Sequence, residues 1–200
     1  LHLCHHNLEK ITDTTSMTTH DLLLEVCMAA KFEGESIRGD HDKHKLDNNN
    51  SSSQLCTELA RSFADIGDII RGKDPFYGNT HESTQREKLE KNLKDIFEKI
   101  HKDVTSSGNK GKTNGQALQE RYKEDREKNY YQLREDWWYA NRATVWKALT
   151  CNAGGGNRYF RQTACAGTRT NDKCRCPKSR DDKANTDPPT YFDYVPQFLR

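Results

Sequence analysis

The sequence lacks any long hydrophobic run. Only 32% of its 200 residues are hydrophobic, whereas 31% are charged. No stretch approaches the roughly 20 apolar residues that a membrane-spanning helix needs, and none has the pattern of a signal peptide. A chain of this length fits one domain or a large part of one, but its apolar residues must be concentrated on particular faces, and cross-links can assist it.

A strong charge of one sign is also missing, because 32 Lys and Arg residues are nearly balanced by 30 Asp and Glu residues. The net charge of +2 therefore predicts no nucleic-acid partner by itself. The chain starts at Leu1 without an initiator methionine, and its last residues, 194–200, have the pattern of a helix that is just beginning. These two ends indicate a fragment of a longer protein.

No arrangement typical of an enzyme or a metal site stands out. The eight histidines are scattered, and no HExxH pair or similar ligand spacing occurs. Glycines 154–156 follow a predicted helix, whereas a phosphate-binding loop follows a strand, so a simple turn is predicted there. Glu135 and Asp136 point in different directions on a predicted helix, which favours support of its first turn over a shared catalytic site. The sequence therefore predicts no enzymatic activity, no metal and no cofactor.

The cysteines allow two interpretations. In a cytosolic protein they would be free thiols or metal ligands, and in an ectodomain they would form disulfides. The last four lie in a stretch rich in Gly, Arg, Asn and Asp, which cannot order itself by burial, so disulfides are favoured. The odd number leaves one cysteine free or paired outside the chain. The seven are Cys4, Cys27, Cys56, Cys151, Cys165, Cys174 and Cys176.

Apolar residues recur at helical spacing in five segments, and strand-like alternation is scarce. Thr18 or Thr19 is a plausible N-cap for the first segment. The segment from Gly34 to Ser53 reads as a loop. The last two segments could form one helix or two, and Lys128-Asn129 is the favoured joint between them. Beyond Cys151 a cross-linked loop is expected until Pro188-Pro189, followed by a new helix. The predicted helices are His20–Glu33, Gln54–Arg71, Ser83–Val104, Gly115–Glu127 and Leu133–Thr150.

Two adjacent tryptophans in the last helix suggest different environments for their side chains. Trp137 and Trp138 cannot face the same way on a helix. We expect one of them to join Trp146 and Leu149 in the core, and the other to form a partial surface contact.

One charged region is more informative than the total charge. Residues 158 to 183 include eight basic and three acidic residues, so the local net charge is +5. A basic loop region held by disulfides could attract sulfated glycans or acidic protein surfaces. A solvated loop whose charges only maintain solubility is the more common alternative for any single residue. The candidate binding residues are Arg158, Arg161, Arg169, Lys173, Arg175, Lys178, Arg180 and Lys183.

Several blocks resemble a known family. They are CTELARSFADIGDIIRG at 56–72, LREDWWYANR at 133–142, WKALTC at 146–151 and YFDYVPQFLR at 191–200, with shorter matches at 1–4 and 26–31. In this order they resemble the alpha-class Duffy-binding-like domain. That domain stands at the head of the erythrocyte membrane protein one variant antigens of the malaria parasite Plasmodium falciparum.

The resemblance implies an all-α fold, a helical bundle with disulfide-pinned loops. Residues 1–200 would be a single fragment of the domain, mainly its second subdomain. It would lie on the extracellular face of the infected erythrocyte plasma membrane, anchored only by a segment further downstream. The polymorphic loops would correspond to about 38–53, 105–114 and 166–189. Two overlapping N-glycosylation sequons at 49–52 are expected to be unmodified in the parasite.

The resemblance also implies a function. A module of this family mediates cytoadhesion or rosetting and undergoes antigenic variation. Its partners would be host receptors or glycans (blood-group glycans, heparan-sulfate-like glycans, complement receptor one) and host antibodies, with no nucleic acid. The four cysteines from Cys151 to Cys176 resemble the subset of alpha-class sequences less biased to rosetting. A second hypothesis is a scaffold that displays epitopes while the receptor site lies elsewhere.

The disulfide pairing is expected to be partly local. Cys27 and Cys56 could tie the first two helices together, which would leave Cys4 to pair late in the chain or outside it. The four cysteines from Cys151 to Cys176 could form two bridges among themselves.

Overall fold

The computed structural model describes residues 8, 17–47, 54–74, 80–106, 115–123, 128–154, 165–178 and 185–200. Within these ranges the chain is all-α, with no strand, as the sequence predicted. Three short 3₁₀ turns follow the last α-helix. Among the described residues, no helix combines the length and the apolar character needed to cross a bilayer. The α-helices are α1 (Thr19–Asp47), α2 (Leu55–Arg71), α3 (Thr80–Thr105), α4 (Gly115–Arg121) and α5 (Tyr131–Leu149).

Helix α1 begins with a reciprocal cap. The Asp21 backbone N–H donates to Thr18 Oγ1 at 3.4 Å, and the Asp21 carboxylate accepts from the Thr18 backbone N–H at 2.8 Å. Two of the backbone groups that a helix start leaves unpaired are thereby satisfied. The bonds to Thr18 also lower the pKa of Asp21. Of the two cap residues predicted, Thr18 is therefore the one that caps the helix.

The predicted loop from Gly34 to Ser53 is wrong over its first part, because α1 continues to Asp47. The start of this extension is supported by contacts just beyond the end of α5, where Arg38 donates to the Asn152 carbonyl and Asn152 donates to Glu35 at 2.9 Å. Residues 38–47 of the expected polymorphic loop 38–53 are consequently helical, and residues 48–53 lie outside the described part.

Gly34 stands where α1 passes close to the backbone of α5. A Cβ atom at Gly34 would lie 2.0 Å from the Leu149 carbonyl oxygen, which is backbone and cannot rotate away. The sequence pattern predicts that the helix ends before this glycine. In the structure it is instead the residue that allows α1 to pass against α5.

Replacing Gly34 by alanine is expected to lower the free energy of unfolding by about 1–3 kcal/mol or more, because α1 and α5 must separate to admit the methyl group. Gly39→Ala in the same helix is the matched control, since a Cβ there meets nothing within 4 Å. The control should raise stability by about 0.5–1 kcal/mol through helix propensity. Urea denaturation of both variants measures the two effects, and equal values would refute the close-approach explanation.

Helices α2 and α3 form as the apolar spacing predicted. Leu55, Leu59, Phe63, Ile66 and Ile70 of α2 are all buried. The helix ends at Gly72, whose φ of 69° is left-handed and whose N–H bonds back to Ile69, a usual glycine C-cap. In α3 the same pattern buries one face, made of Leu89, Leu93, Ile96, Phe97 and Ile100.

The fourth and fifth predicted helices are separate, and their joint lies where it was expected. Helix α4 ends at Arg121 rather than Glu127, and residues 124–127 lie outside the described part. Lys128 and Tyr130 have φ angles of 52° and 57°, which a continuous helix cannot contain. The chain therefore turns at Lys128-Asn129 and starts α5 at Tyr131.

The expectation that only one of the adjacent tryptophans would be buried is wrong. Trp137 and Trp138 are 5% and 0% exposed. The Trp138 ring lies 5.1 Å from the Phe63 ring of α2, and the Trp137 ring lies 6.2 Å from the Phe97 ring of α3. Because α5 packs between these two helices, the side that carries Trp138 and the side that carries Trp137 are both buried in the core.

The last described segment, 185–200, lies against α2 and α5 without forming an α-helix. Its regular parts are two 3₁₀ turns, Phe192–Tyr194 and Gln197–Leu199. The new α-helix expected after Pro188-Pro189 is therefore not formed in the described residues up to Arg200. The first of these turns packs on α2. This places Asp193 among the charged residues of the two helices.

Candidate functional site

Two disulfides hold the cysteine-rich loop. Cys56 of α2 bonds to Cys174, and Cys165 bonds to Cys176. The expected Cys27–Cys56 bridge is therefore wrong, since Cys56 faces Cys174 across 118 residues of sequence. Of the two bridges expected among the last four cysteines, only Cys165–Cys176 forms.

The remaining cysteines have different environments. Cys27 is a free, half-buried thiol, and burial raises its pKa. Cys151 is free and exposed at the end of α5. Cys4 lies outside the described residues, so its pairing stays a prediction. The inference that this chain uses disulfides in its polar C-terminal region is confirmed by the two bridges.

The loop from 165 to 178 is ordered by bonds as well as by bridges. The Asn171 side-chain oxygen accepts from the backbone N–H groups of Lys173 and Arg175, both at 3.0 Å. The Cys174 carbonyl accepts from the indole N–H of the buried Trp146 at 3.1 Å. This part of the loop consequently has a fixed position over the end of α5.

The eight predicted binding residues do not all behave alike. Arg175 donates to Thr150 Oγ1 at 3.1 Å and to the Lys147 carbonyl at 3.0 Å, so its guanidinium satisfies the C-terminal end of α5. Arg169, Lys173 and Lys178 are exposed on the same loop. Their role in ligand binding stays a prediction. The other four, Arg158, Arg161, Arg180 and Lys183, lie outside the described residues.

A buried ion pair fixes the segment that follows this loop. The Asp193 carboxylate accepts from Arg142 Nε and Nη2, both at 2.8 Å, and from the Trp138 indole N–H at 2.9 Å. Arg142 also donates to the Thr190 carbonyl at 2.9 Å. Side chains of Asp193 and Arg142 are 0% and 9% exposed. Buried charges are tolerated only when they are paired in this way.

A second charged contact holds the other end of the segment. Arg200 donates to Asp65 at 2.8 Å and also to Asp68, which Arg71 contacts at 2.8 Å. Arg71 in turn donates to the Asp193 carbonyl. Burial raises the pKa of Asp65 to about 6, although Arg200 opposes the shift. Segment 185–200 is thus joined to α2 by several charged bonds.

Arg134 forms a third buried contact. It donates to the Ile70 and Ile69 carbonyls at 2.6 and 3.1 Å and to both oxygens of Glu90 at 2.7 and 2.9 Å. It joins α5 to α2 and α3. The buried role of these arginines was not predicted from the sequence. The available signal was their spacing, because Arg134, Trp138 and Arg142 recur every four residues and lie on one side of α5.

Glu135 and Asp136 do not share a site, as expected, but they do not support a first helical turn either. Helix α5 starts at Tyr131 and has no acid in its first turn. Glu135 pairs with Lys73, and Asp136 accepts two bonds from Arg121 at 2.6 and 2.7 Å. Among the described residues, no group of three or more His, Cys, Asp or Glu side chains is suited to hold a metal.

Comparisons with known proteins give consistent results. A family model described as the Duffy binding domain matches residues 1–200. A search of curated proteins found no match. The NTS-DBL1(alpha-1) domain of Plasmodium falciparum membrane protein 1 (PfEMP1), varO strain, is 40% identical, with a TM-score of 0.71, over 99% of this chain and 40% of its own.

Two further solved structures agree. The N-terminal NTS-DBL1-alpha and CIDR-gamma double domain of PfEMP1, also from the P. falciparum varO strain, is 40% identical with a TM-score of 0.72, over 99% of this chain and 25% of its own. The PfEMP1 IT4var13 DBLbeta domain bound to ICAM-1 is 28% identical with a TM-score of 0.61, over 99% of this chain and 40% of its own. This chain therefore spans 40% or less of the length of these relatives.

Proposed function

This chain belongs to the Duffy binding domain family, and on that premise we propose that it is a host-cell adhesion module of a variant surface antigen on infected erythrocytes. The resemblance read from the sequence is confirmed by the family match and by the solved structures. The module would face the outside of the cell and mediate cytoadhesion or rosetting. Its proposed partners are host receptors or glycans, among them blood-group and heparan-sulfate-like glycans and complement receptor one, together with host antibodies.

One observation carries this proposal. Ninety-nine per cent of the chain superimposes on a domain described as bound to ICAM-1, a host surface protein. A shared scaffold does not by itself specify a function. What supports adhesion in addition is the exposed, cross-linked loop, which holds Arg169, Lys173 and Lys178 on a rigid base. Cations held in fixed positions attract anionic partners and speed their encounter.

A second candidate function is a scaffold that displays variable epitopes. Several buried charged side chains form bonds within the chain and therefore stabilise the fold, which favours this function. They are Arg71, Arg134, Arg142 and Asp193. In this case antibodies would be the main partners, and the receptor site would lie in other parts of the protein.

Binding of the oxidised chain to uninfected red cells and to immobilised heparin distinguishes these functions. We expect saturable binding that weakens as salt increases. A variant with Arg169, Lys173 and Lys178 changed to Glu should lose at least about tenfold in affinity, since three attractions become repulsions. Arg175 is left unchanged because it is bonded to the end of α5.

The control variant carries the same change of charge on other exposed lysines, Lys31, Lys43 and Lys88. It should bind as the unchanged chain does. Equal loss in both variants would show that only the total charge matters. Absence of binding by a chain that is shown to be folded by circular dichroism would favour the scaffold function.

A further inference from the structure

A cleft separate from the basic loop lies between α3 and the ends of α2 and α5. Its volume is about 580 Å³, which falls within the usual range for ligand pockets. Ile69, Leu89 and Leu93 lie among its lining residues and are at most 5% exposed, so they form an apolar floor. A floor of this kind suits an aliphatic or aromatic side chain better than a sugar ring, whose hydroxyls would lack partners.

Tyr131 forms one wall of this cleft. It is the first residue of α5 and is 48% exposed. One edge of its ring packs against Gly72, where a Cβ atom would come within 3.1 Å of Tyr131 Cε1. A tyrosine fixed on one side and open on the other loses little conformational entropy on binding, and such residues are enriched at interaction hot spots.

The charges at the rim are not all paired within the chain. Asp74 bonds to Arg86 at 2.8 Å, and Glu90 bonds to the buried Arg134. Lys91, Lys94 and Glu87 complete the charged lining, so the charge that remains after these two pairs is +1. Lys91 and Lys94 are three residues apart on α3 and therefore lie on the same side of the helix.

We infer that this cleft binds a protein segment in which an aromatic or aliphatic side chain stands next to an acidic one. The apolar side chain would enter between Tyr131 and the floor, and the carboxylate would lie against Lys91 and Lys94. This inference deepens the proposed adhesion function, because it names a class of partner for it. It does not involve the basic loop at 165–178.

The probe is a set of three blocked dipeptides titrated into the ¹⁵N-labelled oxidised chain. Acetyl-Phe-Asp-amide should shift the backbone amide resonances of Ile69, Gly72, Leu89, Leu93 and Tyr131. Acetyl-Phe-Lys-amide and acetyl-Gly-Asp-amide should bind at least about threefold more weakly, since each lacks one of the two interactions. The variant with Lys91 and Lys94 changed to Glu should reverse the preference between Asp and Lys.

Lys88→Glu is the matched control, because Lys88 is exposed on the same helix and does not line the cleft. It should leave the preference unchanged. No shift at the cleft in the folded chain, or equal binding of the three peptides, would overturn the inference. Shifts that depend on protein concentration in the absence of peptide would assign the cleft to a second copy and would also overturn the inference.

Failure of this inference and failure of the proposed function are separable. Red-cell binding is measured in parallel on the unchanged chain and on the Lys91/Lys94 variant. Peptide binding without red-cell binding would uphold the cleft and count against adhesion by this chain. Red-cell binding with no peptide-induced shift at the cleft would support adhesion by this chain and count against the cleft as a binding site.

Discussion

Replacing both Cys56 and Cys174 by alanine is expected to lower the free energy of unfolding by about 5 kcal/mol. The bridge closes a loop of 118 residues, and the stabilisation that a disulfide gives by restricting the unfolded chain rises with loop length. A loss of this size is a large part of the 5–15 kcal/mol that is typical of a whole domain. Guanidinium denaturation without reductant measures it. A pH of about 5 keeps the free thiols protonated and suppresses exchange.

The second bridge provides the comparison. Cys165 and Cys176 are only 11 residues apart, so their replacement should cost about 3 kcal/mol. The two double variants remove the same kind of bond from one loop region and differ mainly in loop length. A larger loss from the short bridge than from the long one would show that strain or local packing, rather than restriction of the unfolded chain, determines the effect.

Asp193→Ala is expected to destabilise the chain by about 3–5 kcal/mol, because Arg142 would be left buried and without its carboxylate partner. The variant also deprives the Trp138 indole of its acceptor. Thermal unfolding, followed by near-ultraviolet circular dichroism, reports both the stability and the environment of the tryptophans. Asp172→Ala is the control, since Asp172 is exposed, and it should change stability by less than about 0.5 kcal/mol.

The pairing itself is tested by a double-mutant cycle. Arg142→Met together with Asp193→Ala should cost less than the sum of the two single changes, because neither leaves a buried charge behind once both are made. Additive losses would show that the two side chains act independently and do not stabilise the fold as a pair.

Local patterns were sufficient to predict much of the fold. The apolar spacing in α2, α3 and α5 gave their existence and their bounds to within about three residues. These elements bury a continuous face, so the sequence of each one carries its own signal.

Other features depend on contacts that are distant in sequence. The continuation of α1 beyond Glu33 contains few apolar residues and is held in part through Asn152, more than a hundred residues away. Cys56 could be paired correctly only with knowledge of where the loop around Cys174 lies. Arg134 and Arg142 have the composition of a solvated helix face, and only the carboxylates of Glu90 and Asp193 make their burial favourable.

The Cys56–Cys174 bond also gives the chain a distinct topology. Together with the intervening backbone it forms a closed covalent ring, which contains all of α2 after Leu55 together with α3, α4 and α5. A single proteolytic cut anywhere between these two cysteines opens the ring but releases no piece. A protease would therefore have to cut twice, or act with a reductant, before any part of the ring could separate from the rest of the chain.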